Sequence, residues 1–352
     1  MSGRPELGTT RLPREHGTSP YGRPVIKPPV WTPEIPLYFY TGGLAGASAG
    51  VGALCDWRGE CVLARRAWGL AFAGSVVSPA LLISDLGVPK RFLHMLRMFK
   101  VTSPMSVGSW VLAAFGTATA PATAHSLIGL GRPGRAAQIV SALLGLPLSA
   151  YTAALIANTA VPVWHEARIE LPFLFTAGAA ASAGAALTAL TPIPDAEPAR
   201  RLAVGGAVAE LAVVQLMEHR LRARGVGDAY HQGEVKRLNH AAKLLTATGA
   251  AVIAARGSRS RRAAVVGGAL LTAGAVAERW TVFRAGSASA ARPQDTIEPQ
   301  RARIDRGDTR GASRSASRRP PPGEPERGQH PGERPVPLGS PAIDAGPGAT
   351  AS

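Results

Sequence analysis

Acidic and phenolic side chains are rare inside the long apolar stretches of this chain, so the few that occur there mark where chemistry can be placed. Glu210 is the deepest acid, within "VGGAVAELAVVQLMEHR". A charged group near the centre of a bilayer costs about 2.5–3.5 kcal/mol on insertion scales, so such a residue usually has a use. Two readings stay open for it: a carboxyl held neutral by a neighbouring hydroxyl or carbonyl, or a proton-relay group. Lys243 lies nearer a segment end, where its long stem can carry the ammonium to the interface.

Asp85 closes an apolar stretch just before Gly87 and Pro89. It reads either as a turn residue pairing with Lys90 or Arg91, or as an acid at the water boundary able to accept a proton. Tyr151 lies in "LPLSAYTAALIANTAVPVW". With the helix ending at Ala160, it sits about 13 Å inside that end at 1.5 Å per residue. It is either an interface aromatic or a hydroxyl that needs a partner.

The elements that must hold these residues follow from hydropathy. The chain has 352 residues, 46% hydrophobic and only 18% charged, and the charges avoid long stretches. Eight weakly polar windows fall at roughly 36–54, 67–86, 105–127, 136–160, 171–190, 202–218, 239–255 and 263–279. Each is about the length a helix needs to cross ~30 Å of hydrocarbon, and none shows the period-two alternation of barrel strands. The expected fold is all-α, a polytopic membrane bundle of about eight helices over residues 35–284. A polar segment, 1–34, precedes it. The small residues of "AGAAASAGAALTAL" suit close helix packing. No apolar stretch precedes Val30 and no N-terminal twin-arginine motif appears, so a cleaved secretory signal is not expected.

Formal net charge is +16, and 12 of the 39 Lys and Arg residues lie from Arg279 onward. Residues 285–352 are rich in Arg, Pro and Gly and are expected to be disordered, attracted to anionic lipid rather than nucleic acid. With eight crossings both termini share a side. That side carries about 15 Lys and Arg before the tail against about 11 opposite, which places both termini in the cytoplasm of a plasma-membrane protein. Glu34, Tyr38, Asp85 and Tyr151 then lie toward one face of the bundle. A tyrosine hydroxyl, acids and an apolar body there would suit a quinone head and tail.

Redox centres of the chain's own are not expected. Cys55 and Cys61, in a short polar connector between the first two windows, have no second cysteine pair to complete a cluster or zinc site; a disulfide between them is open if that connector is extracytoplasmic, and unpaired thiols are the default reading. His125, His219 and His240 sit at helix ends, and His94 and His165 in loops, so none suits an intramembrane haem.

Four stretches, "YFYTGGLAGASAG", "LLISDLGVPKRFLHMLRMFKVTSPMSVGSWVL", "YTAALIANTAVPVWHEARIELPFLF" and "AERWTVFRAGSASA", together resemble the NrfD/polysulfide-reductase membrane-subunit family, from about Trp31 to Arg301. The resemblance implies an eight-helix subunit without haem or cluster. Such a subunit passes electrons between menaquinone or ubiquinone and a four-cluster ferredoxin-like iron–sulfur partner, with a molybdopterin catalytic subunit of formate dehydrogenase or polysulfide reductase type completing the complex. It assigns the quinone site to Tyr151 and Asp85, with Tyr38 and Glu34 from the first helix. Lys90, Arg91, Arg97 and Lys100 could dock the iron–sulfur partner or meet lipid headgroups. Val88 and Lys90 stand where relatives often have Arg and Glu, which alters the charge of this loop. Other classes remain as alternatives: a proton- or solute-translocating protein using Glu210 and Asp85, or a purely structural anchor.

Overall fold

The computed structural model describes residues 24–29, 31–86, 88 and 90–305. Every regular element among them is helical. Eight are long: α1 (Glu34–Arg58), α2 (Cys61–Asp85), α4 (Pro104–Ile128), α5 (Gly131–Ala157), α7 (Glu170–Leu190), α8 (Glu197–Ala223), α9 (Gly233–Arg256) and α10 (Arg261–Ala290). Three are shorter: α3 (Arg91–Met95), α6 (Pro162–Glu166) and α11 (Pro293–Asp305). The eight expected windows each fall on one long helix. Five long helical segments, Cys61–Asp85, Pro104–Ile128, Gly131–Ala157, Glu170–Leu190 and Pro194–Ala223, are long and apolar enough to cross a membrane.

Their outward faces fit that solvent. α2 exposes Phe72, Val76 and Val77, and α5 exposes Ile139, Val140, Leu143 and Leu146. A water-soluble bundle would hide such a ring of branched and aromatic side chains, whereas lipid accepts it. This chain is a membrane protein. Burial inside the bundle instead favours small residues and polar groups. At the α1–α5 crossing, a Cβ on Gly46 would lie 2.3 Å from the Gly145 carbonyl oxygen, and one on Gly145 would lie 2.5 Å from that of Gly46. Only two glycines allow backbones this close, the means by which lipid-embedded helices gain packing energy.

Short connectors make successive long helices antiparallel. α1 packs on α2 and α5 and also on α7 and α10, so it forms a wall shared by α2–α4–α5 and α7–α10. The starts of α1, α4, α7 and α9 and the ends of α2, α5, α8 and α10 therefore gather at one end of the bundle, here called the site end.

Several boundaries differ from the expected ones. The Asn158–Ala160 stretch leaves the helix, so Tyr151 stands six residues before Ala157, about 9 Å from the end rather than ~13 Å. Asn158 turns its side-chain amide onto the Ala154 carbonyl at 2.7 Å, a local bond that competes with continued helix. Cys55 is buried inside α1, not in a connector, and both thiols are free. His94 and His165 stand on the short helices α3 and α6 rather than in loops. α10 runs on to Ala290 and α11 follows, so the first part of the segment expected to be disordered is helical. The rest of that tail, 306–352, and residues 1–23 of the N-terminal segment lie outside the described residues.

Candidate functional site

Tyr38 is 2% exposed on α1, between the apolar Leu37 and Phe39. Tyr151 reaches from α5 across to the start of α4, where its hydroxyl end fills the space beside Gly108. A Cβ there would fall 1.6 Å from the ring carbon that carries the hydroxyl. The absence of that one carbon is what lets the phenol enter. The two tyrosines are close enough to interact electrostatically. Among the described residues, neither hydroxyl has a hydrogen-bond partner, although a phenol set in apolar surroundings ordinarily finds one.

Asp85 does not pair with Lys90 or Arg91, as its turn reading had it. Its Oδ1 accepts from the backbone N–H of Thr32 at 3.0 Å and from the Thr32 hydroxyl at 2.5 Å. This ties the lead-in to α1 to the last residue of α2. Glu34, one turn of chain away, lies beside the same Thr32 hydroxyl, so Thr32 sits between two carboxylates. Nearby, Trp31 stacks on Trp164 of α6 with ring centroids 5.7 Å apart and planes at 14°. Trp164 donates its ring N–H to the Val282 carbonyl at 2.8 Å. The lead-in to α1 is thus held from α2 on one side and from α6 and α10 on the other.

The loop after α2 has a different character. Lys90, Arg91, Arg97 and Lys100 are all exposed, and among the described residues none enters an ion pair. Leu93, Met98, Phe99 and Val101 are exposed between them. Ser106 fastens the loop to α4, accepting from the Lys100 backbone N–H and donating to the Met98 carbonyl. The result is a basic, apolar-tipped projection at the site end.

Glu210 does not join the Tyr38–Tyr151 group. It is 2% exposed, on the face of α8 toward α7 and α10, and among the described residues no hydroxyl or carbonyl holds its carboxyl. Its neighbours are charged. Glu210 Oε1 and Arg279 Nη2 each lie 2.6 Å from the point a Cβ on Gly178 would occupy. Arg279 pairs with Glu278, donates to the Phe175 carbonyl at 2.9 Å, and lies over the Phe175 ring at 4.0 Å. Phe175 in turn meets Phe39 of α1 with centroids 5.8 Å apart. Adjacent residues of α1, Tyr38 and Phe39, therefore face the two polar groups in turn. Lys243 does not snorkel freely but pairs with Glu218 at 2.7 Å.

Sequence reading passed over Thr32, Glu278 and Arg279. The last two form an acid–base dipeptide at the edge of an apolar window, and the cost of burying either alone was a usable signal. Thr32 offered none, because nothing local ties it to a residue 53 positions away.

A family model described as polysulfide reductase, of the NrfD type, matches residues 18–292. The chain belongs to the NrfD polysulfide reductase family. No curated protein matches it. Members of the family are membrane subunits of oxidoreductase complexes, and this chain is a membrane subunit that works with other oxidoreductase subunits.

Proposed function

We propose that this subunit is where a quinone meets an electron-transfer complex. It exchanges electrons between menaquinone or ubiquinone and an iron–sulfur partner of the four-cluster ferredoxin-like kind, which serves a molybdopterin catalytic subunit. The observation that carries the reading is the pair of phenols from α1 and α5, close together, without hydrogen-bond partners, at the same end of the bundle as Asp85. A quinone has two carbonyl acceptors on an apolar ring and tail, and unpartnered phenol donors in an apolar setting match that pattern. Quinone reduction takes two electrons and two protons, and the electrons come from outside this chain. In this reading Tyr38 and Tyr151 donate hydrogen bonds to the head and orient it. Asp85, fixed by Thr32 at the water boundary, passes protons between solvent and the head, with Glu34 beside it. The exposed loop of Lys90, Arg91, Arg97 and Lys100 offers the iron–sulfur partner a basic surface, and the site end faces the cytoplasm of the plasma membrane.

Purified complex carrying Tyr151→Phe or Asp85→Asn tests the assignment through quinone-linked turnover. Loss of one hydrogen bond to the head is expected to raise KM for quinone about tenfold in the tyrosine variant, on the scale of ~1.4 kcal/mol. The aspartate variant is expected to lower kcat more than it raises KM. Unchanged turnover and KM in both would remove the site from these residues.

A further inference from the structure

The second half of the bundle buries more charge than a quinone anchor needs. Glu210 on α8 and Glu278 on α10 are 2% and 6% exposed, and Arg279 between them is 2% exposed. Two carboxyl groups thus lie near one guanidinium in an apolar interior. Arg279 is committed to Glu278 and the Phe175 carbonyl. Both oxygens of Glu210 and Oε1 of Glu278 have no hydrogen-bond partner among the described residues. A second buried anion without a counter-charge is among the costliest arrangements in a protein, and a proton removes the cost.

Further charged and titratable groups stand near this pair. From α1, Tyr40 lies within electrostatic reach of Arg279. From the turn Gly227–Tyr230 between α8 and α9, Tyr230 is 1% exposed and lies within reach of both Glu278 and Glu218. Its hydroxyl has no partner among the described residues. Oε1 of Glu218 meets Asn239 and Lys243 at 2.7 Å, while its Oε2 lies 3.7 Å from Arg222 and 4.0 Å from the His231 ring. His231 is partly exposed and also accepts from Arg222 at 3.1 Å. The turn that carries Tyr230 packs on both α8 and α10, the helices of Glu218 and Glu278, and His231 is the member of this set that is partly exposed.

We propose that Glu210 and Glu278 hold a single exchangeable proton beside Arg279, and that Tyr230, Glu218 and His231 connect this buried store to water at the site end. One carboxyl is protonated while the other pairs with the guanidinium, and the proton moves between them without changing the net charge of the core. Tyr230 accepts a proton on its oxygen as it donates its own, so a phenol in this place can pass a proton while remaining neutral. The store is separate from the Tyr38–Tyr151 group and does not depend on a quinone binding there.

Infrared spectroscopy of the full chain in lipid, in H2O and then D2O, tests this with no quinone present. The parent protein is expected to show the carbonyl band of a protonated carboxylic acid that persists at neutral pH. Glu210→Gln and Glu278→Gln should each lose it, because the remaining carboxyl then has the guanidinium to itself. Glutamine has the shape of a protonated glutamate, which favours folding of both variants. Tyr230→Phe, which leaves both carboxyl groups and Arg279 in place, should keep the band and slow its shift in D2O several-fold. Absence of the band from the parent at neutral pH, or its survival in both glutamine variants, would overturn the shared store. An unaltered exchange rate in Tyr230→Phe would overturn the route. Unchanged quinone kinetics in the Tyr151 and Asp85 variants would leave all of these outcomes standing.

Discussion

At the scale of single residues, the site depends on an atom that is missing. Tyr151 occupies the space a side chain on Gly108 would fill, so Gly108→Ala should expel the ring or separate α4 from α5. Overpacking of this kind costs roughly 1–3 kcal/mol. The expected outcome is a lower melting temperature in detergent together with weakened quinone affinity. Tyr151→Phe, which keeps the ring, should leave the melting temperature nearly unchanged. Comparing the two variants separates the position of the ring from the use of its hydroxyl. Tyr151 and Asp85 could be picked from the sequence because a phenol and an acid stand out against apolar neighbours. That Thr32 holds Asp85, or that Glu210 and Arg279 share a space, could not. Those contacts join residues far apart in the chain, and helical periodicity says nothing of which faces meet.

Among the elements, α1 and α5 show how small residues set the architecture. Gly145→Leu places a side chain where the Gly46 backbone stands and should disrupt the α1–α5 crossing, reducing the yield of folded protein. Leu at the lipid-facing Leu146 position exchanged for Ile should have little effect, and size-exclusion profiles after mild extraction would tell the two apart. The eight long helices were legible because each buries or exposes an apolar stretch of bilayer length. The short helices α3, α6 and α11 were not, since they are held by connector contacts that hydropathy does not register.

Helix α11 also carries a pH dependence. Burial, with Asp228 and Glu298 nearby, pushes the Asp295 carboxyl up from its ordinary 3.8 to about 6, against the opposing pull of Ser289 and Arg292. The folded state thus favours the protonated acid. Its contribution is fully present below pH ~4 and is lost as pH rises through about 6. Thermal stability of the parent relative to Asp295→Asn should therefore fall between pH 4 and 7, with the two curves meeting at the acid end.

For the whole molecule, the balance of lipid-facing apolar surface and buried polarity separates two regions with different tasks. α2, α4 and α5 present branched side chains outward, with Tyr38 and Tyr151 on α1 and α5, while α7, α8 and α10 enclose charged side chains. Amino-acid composition announced the membrane; it did not announce this division, because charge buried in pairs lowers hydropathy only slightly. Three of the eight long helices, α1, α9 and α10, fall outside those apolar enough to cross on composition alone.

The shared wall has a consequence for how the chain can be divided. Because α1 supplies Tyr38 to one region and Phe39 to the other, cutting the polypeptide between α5 and α6 would not release two independent folding modules. Fragments 1–160 and 161–352 expressed apart should each be degraded or aggregate, and expressed together should reassemble and co-purify. A turn of α1 about its own axis would move Tyr38 and Phe39 together, so a single rotating strut would carry a change at one group to the other.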